Sequence, residues 1–185
     1  MTPGWPDQTQ RILEAYLDGD FRVYPLAADG MALTAAHVRA IGKVFGVTYP
    51  DDYVAHVCGH FPGVYVEVIE AVWPRPKPYD AGPFWSFLYA LQSYTPVSDS
   101  EPWMRLDIAA GTFQKQTGLH AAPILRIVGD PDVYCTTEGG ALVRFRHETN
   151  TLEALEGASL DFWQLFEYEV SELYARKVRK KAART

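Results

Sequence analysis

The segment APILRIVGDPDVYCTTEGGALVRFRHET, Ala122 to Thr149, constrains the fold more than any other part of the chain. Its runs PILRIV, DVYCTT and ALVRFRHE are rich in β-branched and aromatic residues. They are separated by GDPD and EGG, which have turn chemistry and are too short for a crossover. Strands joined in this way pair with their neighbours, so an antiparallel meander is expected. Asp130 and Asp132 in GDPD have the spacing of a tight turn, where aspartate accepts backbone N–H groups, rather than that of a calcium or glycosidase carboxylate pair.

Helical patterns flank this meander. Asp7 can cap a helix to about Asp18, and Thr34 one whose stripe is Val38, Ile41, Val44 and Phe45, stopped by Gly46. Pro50, Asp51 and Asp52 open a third helix to about His60. GVYVEVIEAVW, Gly63 to Trp73, alternates as a strand with Glu67 on the less buried side. WPRPKPYDAGP, Trp73 to Pro83, then ends it in an ordered surface loop. A helix over 101–117 is expected, with Ser100 as cap and Pro102 in its first turn. The last helix, capped by Ser159, carries Leu160, Trp163, Phe166, Val170, Leu173 and Tyr174. The order helices, strands, helix predicts an α+β chain, one largely antiparallel mixed sheet packed against several helices. One domain is expected over residues 1–185: a helical extension (1–32), a core (33–175) and a basic tail (176–185).

With 48% hydrophobic residues, the 185-residue chain can bury a core without metal or disulfide. Two cysteines make no disulfide framework, and no basic start precedes an apolar run, so a reduced cytoplasmic protein without export signal is expected. No apolar stretch is long enough to span a membrane. Arg176, Lys177, Arg179, Lys180, Lys181 and Arg184 gather at the end, expected to be solvated and frayed. The body they leave is acidic, which disfavours a phosphate-binding surface and suits steering toward a basic protein partner.

HVCGH, His56 to His60, raises the question of a metal. Two histidines four apart share a helix face, but two ligands do not close a site, and the glutamate of a zinc-protease helix is missing. The simpler reading is the last turn of a helix. Cys58 and Cys135 lie in apolar or β-rich sequence, which suits inert buried thiols. No nucleophile elbow or phosphate-binding glycine loop occurs, so no cofactor is expected.

The order of these pieces resembles a known family. IGKVFGVTYPDDYVAHVCGHFPGVYVEV resembles the opening of the SUKH superfamily, PILRIVGDPDVYCTTEGGALVRFRHET its central strands and SLDFWQLFEYEVSEL its closing helix. The loop VWPRPKPYDAGPFWSFLYAL looks like that of a bacterial subgroup of Smi/Knr-type proteins. The turn GHFPG departs from the asparagine-glycine pattern of many relatives. The resemblance implies a non-enzymatic fold and, for many bacterial members, immunity proteins that neutralise a toxin.

The reading is therefore an immunity-type protein that binds a toxin domain. Its contact surface is expected to be acidic, drawn from Glu67, Glu70, Asp130, Asp132 and Glu138, with Trp73 and Tyr79 as partly exposed aromatic anchors at the proline-rich loop. Stacking on single-stranded nucleic acid is disfavoured by the acidic body. The rivals are a cytoplasmic regulatory adaptor on the same fold and a small hydrolase or metalloenzyme centred on His56 and His60.

Overall fold

The meander extends across the whole sheet. The computed structural model describes residues 7–27, 34–155 and 161–183. Seven strands lie side by side in chain order: β1 (Phe21–Pro25), β2 (Val64–Val68), β3 (Ala90–Ser93), β4 (Ala121–Val128), β5 (Val133–Thr137), β6 (Leu142–Arg146) and β7 (Thr151–Ala154). Every neighbouring pair is antiparallel; the parallel contact among the described residues is an isolated bridge between Thr95 and Arg105. Pro123, which has no N–H for the ladder, sits where β4 shifts register against β5, the kind of irregularity that tolerates proline within a sheet.

Five helices complete the α+β arrangement: α1 (Gln8–Tyr16), α2 (Ala35–Phe45), α3 (Asp51–Val57), α4 (Leu106–Thr117) and α5 (Phe162–Ala182). Asp7 caps α1 by accepting from Thr9 N at 2.7 Å, and Thr34 caps α2, which ends on the left-handed Gly46. Asp161 caps α5 in a reciprocal box with Gln164. The cap expected at Ser159, with Leu160 beside it, lies outside the described residues. The buried stripe of α5 is Phe162, Leu165, Phe166, Val170 and Leu173, so Trp163 is only half-buried and Tyr174 exposed.

Opposed residues of an antiparallel sheet share a face. Val66, Leu91 and Ile127 stand in one row, and with Val64, Val68 and Leu125 they form the floor of the main core. Onto this floor pack Ile12 and Leu13 of α1, Tyr53 and Val57 of α3, and the stripe of α5. Each large side chain buried there contributes roughly 1.5–3 kcal/mol.

Several expected boundaries move. α3 stops at Val57, before His60. β2 stops at Val68, because Ile69 N–H turns to Asp20 O and Trp73 N–H closes a turn onto Ile69 O. The helix expected from Glu101 begins at Leu106. Residues Pro102–Met104 instead form a 3₁₀ turn, held by Thr95 N–H on Met104 O and Leu106 N–H on Thr95 O. Ser100 donates to Leu26 O at 2.7 Å rather than capping that helix.

The described residues at both ends pack onto the core. α1 packs on α5 and β1 is a full edge strand of the sheet. As far as Ala182, the basic segment forms the last turns of α5. Lys177 is buried, 2.6 Å from Asp18 and 3.3 Å from Asp20, and lies over the ring of Tyr174; Arg179 lies over Trp85 and Lys180 over Trp73. Carboxylates and aromatic rings supplied from distant sequence turn a basic run into an anchor.

Two substitutions test this arrangement by urea unfolding. Lys177→Met keeps the aliphatic packing but takes from Asp18 its ion pair and leaves Asp20 to Lys181 alone, 2.8 Å away, and is expected to cost roughly 1 kcal/mol. Gly63 has φ +84°, and a Cβ there would lie 2.9 Å from Tyr94 O, so Gly63→Ala is expected to cost about 1–3 kcal/mol.

Candidate functional site

The two faces of the sheet are covered unequally. On the face away from α1, α3 and α5, one row crosses all seven strands: Tyr24, Tyr65, Gln92, Arg126, Val133, Phe145 and Leu152, each paired with the next. α4 covers the β5–β6 end of this row, where Phe113 meets Phe145 edge-on at 5.0 Å beside Cys135 and Val143. Over β2, Trp103 of the 3₁₀ turn stands edge-on to Tyr65 at 6.1 Å, and Tyr24 follows at 6.0 Å.

Between these covers the face stays open. A groove of about 620 Å³ runs along α4, walled by Trp103, Ile108, Phe113 and Phe145 with Arg126 in its lining. Trp103 is 49% exposed and Ile108 and Tyr24 are each 40% exposed. Arg126 is fixed rather than free: its Nε and Nη2 donate to Gln92 Oε1 at 3.0 and 2.7 Å, and the Nε2 of the fully buried Gln92 donates to Trp103 O at 3.0 Å. Sheet, arginine and tryptophan are thereby locked together.

The acids expected to form one surface do not. Strand direction puts Glu67, Glu70, Asp130 and Asp132 at one end of the sheet and Glu138, in the β5–β6 turn, at the other. Three of them are internally neutralised. Glu67 pairs with Arg75 at 2.7 Å, Asp130 with Arg144 at 2.9 Å, and Asp132 with Arg146 at 2.9 Å and Arg144 at 3.5 Å. Asp130 Oδ1 also accepts from Asp132 N, as its turn spacing predicts. Glu70 and Glu138 are exposed.

Of the two aromatic anchors, Trp73 is a correction. It is fully buried, its Nε1 donating to Ser86 O at 3.0 Å and its ring meeting Trp85 edge-on. The proline-rich loop folds back over it, since an indole of this size is worth more inside than out. Tyr79 is fully exposed, at φ +75°. The sequence reading missed Trp103, Arg126 and Ile108; the tyrosines Tyr24 and Tyr65, paired on the same face of β1 and β2, were the available signal.

His56 projects into the core. It is fully buried, with Nδ1 2.7 Å from Thr9 Oγ1 and Nε2 2.8 Å from Ser93 Oγ, so both ring nitrogens are occupied whichever carries the proton. His60, past the end of α3, is exposed, and its backbone N–H donates to Asp7 Oδ2. The two imidazoles therefore share no helix face. Burial raises the pKa of both cysteine thiols, most strongly for Cys135. Among the described residues, no three His, Cys, Asp or Glu side chains group as a metal site, and no helix is long and apolar enough to cross a membrane. No protein-family model, curated protein or solved structure matches the chain.

Burial holds the His56 pKa down to about 3, against 6.5 for a free imidazole. Between these values the unfolded chain binds a proton that the folded chain rejects. The stability from this group is thus fully present above about pH 6.5 and is lost as pH falls toward 3. Unfolding free energy measured with urea should drop by about 2 kcal/mol between pH 7.5 and pH 5. His56→Gln should be less stable at pH 7.5 and show a flatter profile, whereas a flat wild-type profile would contradict the buried neutral imidazole.

Proposed function

We propose that this chain is a non-enzymatic, SUKH-like binding module of the immunity type, acting in the cytoplasm on a protein toxin and docking through the open face of its sheet. The observation that supports this reading is the asymmetry of the two faces. One is sealed by three helices, while the other leaves Trp103, Ile108 and Tyr24 partly exposed beside a groove with a fixed arginine. Exposed aromatics around a concavity, set on a rigid sheet, are the usual anchors of a protein interface. Of the side chains that invite an enzymatic reading, His56 is buried and hydrogen-bonded at both ring nitrogens and Cys135 is buried, while Cys58 is partly buried and His60 exposed.

This reading relocates the contact surface. The five acids are divided between opposite ends of the sheet and partly spent on arginines, so they act at the rim, tuning encounter rate more than affinity.

Capture of partners from lysate of the source cell, identified by mass spectrometry, tests the proposal. Recovery of a toxin domain whose affinity falls at least about thirtyfold with Trp103→Ala, and changes little with Tyr79→Ala, is the expected result. Recovery of a housekeeping protein instead would favour a regulatory adaptor. A toxin held with undiminished affinity by Trp103→Ala would move the interface elsewhere.

A further inference from the structure

We infer that the groove beside α4 receives a segment of the protein partner carrying a carboxylate next to an aromatic or aliphatic side chain, with the carboxylate seated on Arg126. This rests on the binding-module reading and specifies the chemistry of what it binds.

Charge supplies the first argument. The chain carries a formal net charge of −6, yet no acidic side chain lines the groove, and Arg126 is its one arginine or lysine. Arg39, Arg75, Arg105, Arg144 and Arg146 each hold a carboxylate within 4 Å. Arg126 holds none among the described residues; its protein acceptor is the neutral amide of Gln92. A half-buried guanidinium with a neutral partner retains the capacity for a charge-assisted hydrogen bond.

Preorganisation supplies the second. Gln92 is fully buried and tied to Trp103 O, so the guanidinium is already oriented and little freedom is lost when a ligand arrives. The walls supply the third. Trp103, Ile108 and Phe145 offer apolar surface beside the cation, and a volume of about 620 Å³ suits a few side chains. A phosphate-rich ligand would want more than one cation, whereas a single carboxylate on an apolar stem matches what is present.

The partner need not be in hand to test this. A ¹⁵N-labelled sample is titrated with 3-phenylpropionate and, separately, with 3-phenylpropionamide, following chemical shifts. The acid should bind in roughly the millimolar range, perturbing Trp103, Ile108 and Arg126 signals, with the amide at least about tenfold weaker. Arg126→Gln should abolish the difference between the probes, Arg126→Lys should retain part of it, and Lys115→Gln on the outer side of α4 should leave it intact. Equal binding of acid and amide, shifts outside the groove, or no binding would overturn the inference. So would a small carboxylate that co-purifies with the protein and is displaced by the probe, as seen by native mass spectrometry, because the groove would then serve a free molecule. Because no toxin takes part, failure here leaves the immunity reading standing, and failed capture leaves the groove chemistry standing.

Discussion

The helical layer depends on one buried imidazole. His56 projects from α3 into the core, where Thr9 of α1 and Ser93 of β3 occupy its two nitrogens, and the rings of Phe162 and Phe166 of α5 lie 4.9 and 5.1 Å away. Ser93 Oγ also accepts Val64 N–H of β2 at 2.9 Å. Five elements from both ends of the chain thus meet at one side chain. Its polar atoms are satisfied only if α1, α3 and the sheet are all in place, since an unpaired buried donor or acceptor costs about 1–3 kcal/mol. Asp52 extends the same logic by accepting the Phe162 N–H at the start of α5.

From this hub follows the inequality of the two faces. The helices it positions seal one side of the sheet, and the basic end of α5 is pinned by Asp18, Asp20 and the indoles of Trp73 and Trp85. α4 gives Leu106 and Ala110 to the main core and Phe113 to the other side, where one helix is too narrow for seven strands. What it leaves open is not loose surface. Hydrogen bonds from Arg126 to Gln92 and from Gln92 to the Trp103 carbonyl hold the guanidinium and the turn in place. Rigidity on both sides suits binding by a preformed surface.

Much of the fold was legible in the sequence where periodicity was local. The β4–β6 meander and the helices α1, α2 and α5 all show it, but Val44, placed in the α2 stripe, is exposed, and the buried stripe of α5 takes Phe162 and Leu165 in place of Trp163 and Tyr174. β3 did not, because ALQS is buried on both faces and so has no alternation, and β7 is mostly exposed. β1 owes its place to pairing with β2 across an insertion of two helices, which no local pattern records. The site was harder to read than the fold. Acids could be counted along the chain, but their arginine partners come from other strands, and the burial of Trp73 depends on a loop folding back. Arg126 is inconspicuous inside PILRIV until the register sets it opposite Gln92.

The most direct measurement of the central claim is hydrogen–deuterium exchange of the chain with and without its captured partner. The account predicts new protection centred on the turn bearing Trp103, the exposed turns of α4 and the groove-lining residues between β4 and the turn after β6, with α1, α3 and α5 unchanged. Protection centred on the Glu138 turn, or on the outer surface of α5, would contradict it.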